Sequence, residues 1–316
     1  LNRPKVSVCI ITYNHEAYIA KAIESALMQK TDFPFEIRVG EDDSTDRTRD
    51  IVRAYDEKYD QVIGLYRDKR NKIYIDGRPT GRFNFIDNIL NARGEYIALL
   101  EGDDYWSDDS KLQQQVDLLE ADRQASFCFH RIYDEEPNGQ RQVFPRESRC
   151  TKPVYTTEDL LEDNFIPTAS VVMRNRQFEL PDWILKVPFA DWPMHILNSL
   201  TGHAVFIDDI MAVRRNHGRG LWSALDDRTQ DYKKLRVLCT LRQQLDGTHR
   251  EILERRIGET HRRIVRHLAT SSGPAEAFRE WRRSRAEVCV ETGAVRMLAS
   301  IASGVLKRLY KRPKSS

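Results

Sequence analysis

Apolar positions along the first two thirds of the chain keep two rhythms that take turns. Short β-branched or aromatic runs predict strands at Val6–Thr12, Phe35–Val39, Val62–Tyr66 and Tyr96–Leu100. Between them, apolar residues recur at helical spacing. Ile19, Ile23, Ala26 and Leu27 make one face, with Asn14 placed to cap it. Ile51, Val52, Tyr55 and Tyr59 make a second, with Ser44 or Thr45 as cap and Asp46 at the positive helix start. A polar loop holding Gly77, Pro79 and Gly81 leads to a short helix around Phe85–Ala92. Further on, Leu112, Val116 and Leu119 predict a helix capped by Asp108 or Asp109. Phe127–Tyr133 reads as a strand whose hairpin partner, Arg141–Phe144, returns after the turn Pro137-Asn138-Gly139-Gln140. Ile166–Met173 and Ala204–Ile207 read as two more strands. Strands alternating with helices imply right-handed crossovers and an α/β fold with a mostly parallel sheet.

The polar residues interrupt this pattern at three strand ends: Thr12–Asn14, Glu41–Ser44 and Glu101-Gly102-Asp103-Asp104. In α/β sheets the carboxyl ends of strands line the ligand crevice, so all three can meet on one rim. The third is the most demanding. Glu101, Asp103 and Asp104 follow the core run Tyr96–Leu100, and clustered carboxylates at the end of a buried strand need a positive partner. A divalent cation with hard oxygen ligands, carrying a phosphate, meets that need.

Composition narrows the class. The chain has 316 residues, 40% apolar and 31% charged, enough for a large core in one or two domains. Five cysteines (Cys9, Cys128, Cys150, Cys239, Cys289) are scattered without a CxxC pair. They suggest free thiols in a reducing compartment and argue against a zinc site or a disulfide framework. No apolar run approaches the roughly 20 residues of a spanning helix, and no signal-peptide pattern is present.

Three segments, Val6–Asn14, Glu36–Thr48 and Gly94–Trp106, together resemble the successive motifs of family 2 glycosyltransferases. The resemblance covers roughly residues 4–225. It implies a GT-A fold, Rossmann-like, with a mostly parallel central sheet flanked by helices. It also implies inverting transfer of a sugar from a nucleotide-sugar, a UDP- or dTDP-sugar, to an acceptor hydroxyl of a surface glycan or glycolipid. By the same resemblance Thr12, Tyr13 and Asn14 are nucleotide contacts, Tyr13 stacking on the base. Glu41 and Asp42 match the acidic pair that reads a base imide or ribose hydroxyl. Glu101, Asp103 and Asp104 match the family's DxD motif, with Glu101 at the first position. Asp103 and Asp104 are then the metal ligands, for Mg²⁺ or Mn²⁺, and Glu101 and Asp103 also face the donor. Phe189-Ala190-Asp191-Trp192-Pro193 resembles the second acidic motif, where Asp191 is the general base at a helix start; a plain helix N-cap is the alternative. Arg214–Ser223 resembles a later loop in which Arg215 and His217 meet the diphosphate and Trp222 closes over the site. Three departures stand out: Glu41 where the family more often has Asp, Asp43 where it has Gly, and Arg214 where it has Tyr.

Charge divides the chain. Residues 226–316 carry 21 Lys and Arg against 11 Asp and Glu, while the preceding part carries 29 against 37. This sets off a basic helical region over 226–316 from residues 1–225, which the resemblance implies are the catalytic domain, with a donor half at 1–106 and an acceptor half at 107–225. In that region Leu253, Ile257, Ile264 and Leu268 share a helix face, Ser271-Ser272-Gly273-Pro274 ends it, and Phe278, Trp281 and Val288 mark another helix. Val295, Leu298, Ile301, Val305 and Leu309 form a last apolar stripe beside Lys307, Arg308 and Lys311. Such a helix packs on the catalytic domain or a second subunit of a homodimer, or lies on an anionic membrane surface. Nucleic acid is not an expected partner. The expected location is the cytoplasm, with peripheral attachment to the inner face of the cell membrane.

Two other functions fit a nucleotide-binding sheet. A sugar-phosphate nucleotidyltransferase calls for a Gly-rich basic loop after the first strand, which Thr12-Tyr13-Asn14-His15-Glu16 does not provide. A non-enzymatic binding or scaffold protein would be expected to lack acids at Asp42, Asp103 or Asp191, and all are present.

Overall fold

The structure, a computed structural model, describes residues 3–176, 179–218, 220, 222, 225–287 and 301. By internal packing the chain divides into two compact units, Leu1–Lys186 with Ala190–Arg219, and Val187–Phe189 with Gly220–Ser316.

The first unit is built on a ten-stranded sheet. In chain order its elements are β1 (Val6–Thr12), α1 (Ile19–Leu27), β2 (Phe35–Glu41), α2 (Thr48–Lys58), β3 (Val62–Tyr66), the small hairpin β4 (Ile73–Ile75) and β5 (Arg78–Thr80), and α3 (Arg82–Leu90). There follow β6 (Tyr96–Glu101), β7 (Tyr105–Trp106), α4 (Lys111–Ala121), β8 (Ala125–Glu135), β9 (Arg141–Phe144), β10 (Val154–Tyr155), α5 (Thr157–Glu162), β11 (Val172–Arg174), α6 (Asp191–Ser199) and β12 (His203–Arg215). The sheet runs β10-β12-β8-β11-β6-β1-β2-β3, with β7 on β12 and β9 on β8. β6, β1, β2 and β3 are mutually parallel, as are β8 and β12; β11 runs antiparallel between β6 and β8. This is the α/β sheet the apolar rhythm predicts.

β1 and β6 read as almost continuous apolar runs because both faces of the sheet are covered there; Val6, Val8, Ile10, Ala98 and Leu100 are essentially inaccessible. α1 contributes Ile19, Ala22, Ile23 and Ala26 to the same cluster, the i, i+3, i+4, i+7 face of one helix. Each such aliphatic side chain contributes about 1.5–3 kcal/mol by leaving water.

Several expectations shift. Asn14 does not cap α1: it has φ of 55°, and its side chain reaches the β2–α2 loop. Neither Ser44 nor Thr45 caps α2, which starts later, where Asp46 Oδ1 accepts the Thr48 N–H at 2.9 Å. The N-cap of α4 is Ser110, whose N–H donates to Asp108. Ile166–Met173 is mostly not strand. A 3-10 turn at Thr168–Ser170 intervenes and only Val172–Arg174 pairs, since β11 is a short insertion between two long strands. Ala204–Ile207 is the start of a strand that continues to Arg215 through an irregularity around Asp208. Polar residues inside that strand hide it from a pattern search.

The described part of the second unit is helical: α7 (Asp227–Gln244), α8 (Arg250–Ser271) and α9 (Pro274–Glu287). Asp226 caps α7 by accepting the Thr229 N–H at 2.8 Å. Leu253, Ile257, Ile264 and Leu268 are buried, as their spacing predicts. Gly273, at φ 108°, ends α8, and Pro274 opens α9, where its missing N–H costs nothing. Val288 and the apolar stripe lie outside the described residues except for Ile301, which is buried. Among the described residues no helix is long and apolar enough to cross a membrane. Cys9, Cys128, Cys150 and Cys239 are free thiols; Cys289 lies outside the described residues.

One charged residue sits deep in the core. Lys111 is fully buried, its ammonium 4.2 Å over the Trp106 ring and 2.6 Å from Gln115 Oε1. Burial pulls its pKa down to about 7. The unfolded chain therefore holds more protons than the folded one between about pH 7 and pH 10, and this site's penalty fades as pH rises through that window. Lys111→Met is expected to raise the melting temperature by several degrees at pH 7, with a gain that shrinks toward pH 10. A pH-independent gain in thermal denaturation would refute the charged-lysine penalty.

Candidate active site

β1, β2 and β6 end side by side, in register from Thr12 to Glu41 and from Ile11 to Glu101. The three polar strand ends therefore do meet on one rim. Gly102 is the pivot. Its N–H donates to Ile11 O at 2.8 Å, and a Cβ there would lie 2.7 Å from the Thr12 side chain, so only glycine lets β6 turn against β1. β7 then pairs with β12 at Trp106 and Ala212, which carries Arg214 and Arg215 alongside the acids.

The acids of this turn have different environments. Asp104 is buried and accepts the Arg215 backbone N–H at 2.9 Å. Burial, with the charges of Asp103 and Glu101, holds its carboxyl well above the usual range. Glu101 is pushed up to about 7 by burial, then by Asp103 and Asp191. Burial and the neighbouring acids thus favour the neutral form of both carboxyls, Glu101 and Asp104. Asp103 instead turns toward two imidazoles. Its Oδ2 lies 3.0 Å from His217 Nε2 and 3.7 Å from His15 Nε2. Ligand atoms of His15, Asp103 and His217 all fall within 4.8 Å of one another. Among the described residues this is the group able to hold a metal, and Asp104, which the sequence also suggests as a ligand, is not part of it. Its carboxyl faces inward. His15 was not singled out from the sequence; its place directly after Thr12-Tyr13-Asn14 at a strand end is the signal that would have found it. Burial lowers the His15 pKa and keeps the imidazole neutral, the form that ligates metal.

Arg215 sits above these acids. Its Nη1 donates to Asp103 O at 2.9 Å, and its guanidinium lies 5.4 Å from the Tyr18 ring and 4.5 Å from the Tyr105 ring. His217 stacks on Tyr18 at 5.0 Å between ring centroids. Arg214 does not point the same way; it forks onto Asp134 at 2.6 and 2.7 Å.

At the other two strand ends the predicted residues divide. The Thr12 hydroxyl is buried with no hydrogen-bond partner among the described residues. Tyr13 is 44% exposed. Asn14 Oδ1 accepts the Thr45 N–H at 2.8 Å, and the Asn14 N–H donates to Ser44. Glu41 is buried and committed to the fold: Oε1 accepts the Ser44 N–H at 2.7 Å and Oε2 pairs with Arg49. Asp43, where the family more often has glycine, has φ of 61°, a left-handed value that Asp tolerates better than most residues. Asp42 is buried beside Lys72, Nζ to Oδ2 at 2.8 Å. Burial raises the Asp42 pKa against the opposing effect of Lys72. Lys72 went unnoticed in the sequence because it lies in a polar loop about thirty positions away.

Asp191 opens α6, and its Oδ2 accepts the Asn164 amide N–H at 3.1 Å. It is close enough to Glu101 for its charge to raise that pKa, which sets it on the same rim. Arg82, buried and lowered to about 10 by desolvation, has Asp191 as its opposing charge. His195 is a packed residue stacked on Phe127 at 5.6 Å, lowered to about 4 by burial. In the second unit Trp222 packs edge-on against Phe189, centroids 4.9 Å apart.

Comparison with known proteins gives a consistent result. The family model described as "Glycosyl transferase family 2" matches residues 7–179. An uncharacterized protein of Mycobacterium tuberculosis is 35% identical over 277 residues, 85% of this chain and 76% of its own length. Bacillus subtilis TuaG, named as a teichuronic acid biosynthesis glycosyltransferase, is 31% identical over 207 residues, 64% of this chain and 76% of its own. The crystal structure of S. aureus TarS 1–349 in complex with UDP-GlcNAc matches with a TM-score of 0.63 at 18% identity, covering 97% of this chain and 88% of the other. The mannosyltransferase PcManGT from Pyrobaculum calidifontis, in complex with GDP-Man and Mn²⁺, matches with a TM-score of 0.56 at 15% identity, covering 98% and 88%. At such identities the structural likeness shows the fold, GT-A, and nothing finer.

The acid cluster makes a testable demand. Glu101 has a folded-state pKa near 7, above its unfolded value of about 4.5, so its contribution is full in acid and is lost as pH rises through 7. In the presence of EDTA, Glu101→Gln is expected to raise the melting temperature by a few degrees at pH 8 and by nothing measurable near pH 4.5. An equal shift at both values would mean that Glu101 is not held protonated by its neighbours.

Proposed function

The chain belongs to glycosyl transferase family 2, and from that premise we propose that it moves a sugar from a nucleotide-sugar to an acceptor hydroxyl with inversion at the anomeric carbon. The observation that carries this reading is the convergence on one rim of a metal-capable Asp103, a fixed cation at Arg215 and a separate carboxylate at Asp191. The relatives that bear UDP-GlcNAc or GDP-Man, and the one named for teichuronic acid synthesis, support a nucleotide-sugar donor and a surface-glycan acceptor. We take residues 1–225 as the catalytic domain and the basic helical region as a separate element.

Asp103, His217 and His15 fit a divalent cation: one carboxylate and two imidazoles converge, and His15 is kept neutral by burial. Two nitrogen donors favour Mn²⁺ over Mg²⁺, which prefers an all-oxygen shell. When bound, the cation neutralises charge that builds on the departing diphosphate. The protein's own groups do the rest. Arg215, held by Asp103 O and by two tyrosine rings, presents a pre-placed positive charge to the diphosphate. Asp191 accepts the proton of the acceptor hydroxyl as its oxygen bonds to the anomeric carbon and the bond to the diphosphate breaks. Asn164 donates to one Asp191 oxygen and leaves the other for that proton. The donor's base lies on Tyr13, with Thr12 and Asp42 around it.

Asp191→Asn is expected to lower transfer at least about 100-fold while calorimetric nucleotide affinity stays within about twofold; unchanged turnover would remove Asp191 from the mechanism. Asp103→Asn is expected to abolish tight Mn²⁺ binding, read by Mn²⁺ electron paramagnetic resonance without any substrate. Full retention of the bound-metal signal would place the cation elsewhere.

A further inference from the structure

We propose that Lys21, Arg141 and Arg215 form a second anion subsite around the Tyr105 ring, one that takes a phosphate or carboxylate carried by the acceptor or by the transferred sugar, outside the donor's diphosphate. This rests on the nucleotide-sugar reading above and adds a charged class of substrate to it. Tyr105 lies in β7, directly after Asp104, and is half-buried. β7 pairs with β12 at Val213, which sets the ring beside Arg215, whose guanidinium lies 4.5 Å from the ring centre. α1 buries Ile19, Ala22, Ile23 and Ala26 and leaves Lys21 exposed, with its ammonium 5.5 Å from the same centre. Arg141 arrives from the start of β9. Its Nη2 donates to the Tyr105 hydroxyl at 3.1 Å and its Nε to Glu135 at 2.7 Å, and its side chain is 44% exposed.

Three elements far apart in the chain thus bring three cations to one ring. Among the described residues Glu135 is the only acid in an ion pair with any of them. An aromatic face attracts a cation weakly where water competes, and it does not cancel the repulsion of one cation by the next. Folding gains little by gathering these charges, whereas an anion held among them gains from all three. Ammonium and guanidinium groups only donate, so the partner must offer acceptor oxygens, as a phosphate or a carboxylate does. The place of the cluster separates it from the diphosphate. Neither Lys21 nor Arg141 makes a hydrogen bond or ion pair with His15, Asp103 or His217 among the described residues. Along the sheet, β6 stands between β2, whose end carries Asp42, and β12, which holds β7. Tyr105 is therefore across the metal-capable group from the nucleoside. A charge bound there belongs to what lies beyond the diphosphate, the sugar or the acceptor.

Calorimetric titration of the full chain makes the test, in two arms that separate the sources of the anion. In the first, UDP and Mn²⁺ are present at saturation, so that the diphosphate position is filled, and sn-glycerol 3-phosphate is titrated with glycerol as the uncharged control. If the acceptor carries the anion, glycerol phosphate is expected to bind wild type with a Kd of about 5 mM or below, and the double variant Lys21→Gln, Arg141→Gln to weaken it at least about fivefold while UDP affinity stays within about twofold. In the second arm, if the sugar carries the anion, wild type in Mn²⁺ is expected to bind UDP-glucuronate at least about fivefold more tightly than UDP-glucose, a preference that the double variant removes. Both substituted side chains are exposed, so the variant keeps the core intact. A response in either arm that the double variant abolishes supports the subsite. No response in either arm, or a response that the variant leaves unchanged, overturns it. Glycerol phosphate that binds only in the absence of UDP counts as no response, since it then occupies the diphosphate position. If wild type binds no UDP with Mn²⁺ present, the nucleotide-sugar reading fails and the proposal with it; UDP bound without any anion response overturns the subsite alone.

Discussion

Mutual repulsion among carboxylates at the end of β6 is the constraint around which the first unit is arranged. Glu101, Asp103 and Asp104 lie within four residues, and the charge of Asp191 reaches them from α6. A cluster like this inside a fold must be neutralised or it comes apart. Three devices act together. Burial favours the neutral forms of Glu101 and Asp104, the Arg215 backbone N–H anchors Asp104, and the Asp103 carboxylate is left to face His15 and His217 while its carbonyl accepts from the Arg215 side chain. Each device takes its parts from a different strand or loop, so the cluster also fixes how β1, β6 and β12 end relative to one another.

The same logic sorts the second strand end. Two adjacent acids, Glu41 and Asp42, meet two different cations. Arg49 and a backbone N–H consume Glu41, which becomes part of the scaffold. Lys72 meets Asp42 in a buried pair next to the exposed Tyr13 ring. Neighbouring residues of like chemistry therefore have unlike fates, decided by which way each side chain leaves the strand and by what the next loop brings to it. A strand alternates its faces, so two adjacent acids leave it in opposite directions and meet different partners.

Much of the fold could be read from periodicity. β1, β2, β3, β6, α1 and α2 come directly from apolar spacing, because their faces are buried in a regular way. What escaped were elements whose burial is irregular. β11 is three residues long and is held only by its neighbours on both sides; β12 is broken by exposed acids; α5 is a single short helix after Thr156. The helix starts moved for a related reason. Asn14, Ser44 and Thr45 have the chemistry of caps, yet they bond to one another across the β1 and β2 ends, where a tertiary partner is nearer than a helix N–H.

For the candidate site, the sequence by itself determined which acids matter and that they lie at strand ends. That follows from a local fact, since polar residues directly after a buried strand must emerge at the rim. It also determined the family, through the order and spacing of three motifs. Tertiary structure alone decided which atoms face one another. It turned Asp104 inward and Asp103 outward, brought His15 and His217 to the same carboxylate from positions about two hundred residues apart, and set Lys72 beside Asp42. Those pairings depend on strand register, on a glycine that lets β6 turn against β1, and on the pairing of β7 with β12. None of these is a property of a local stretch of chain. They arise only when the sheet closes its hydrogen bonds, and so the chemistry of single residues could be read early while their partnerships could not.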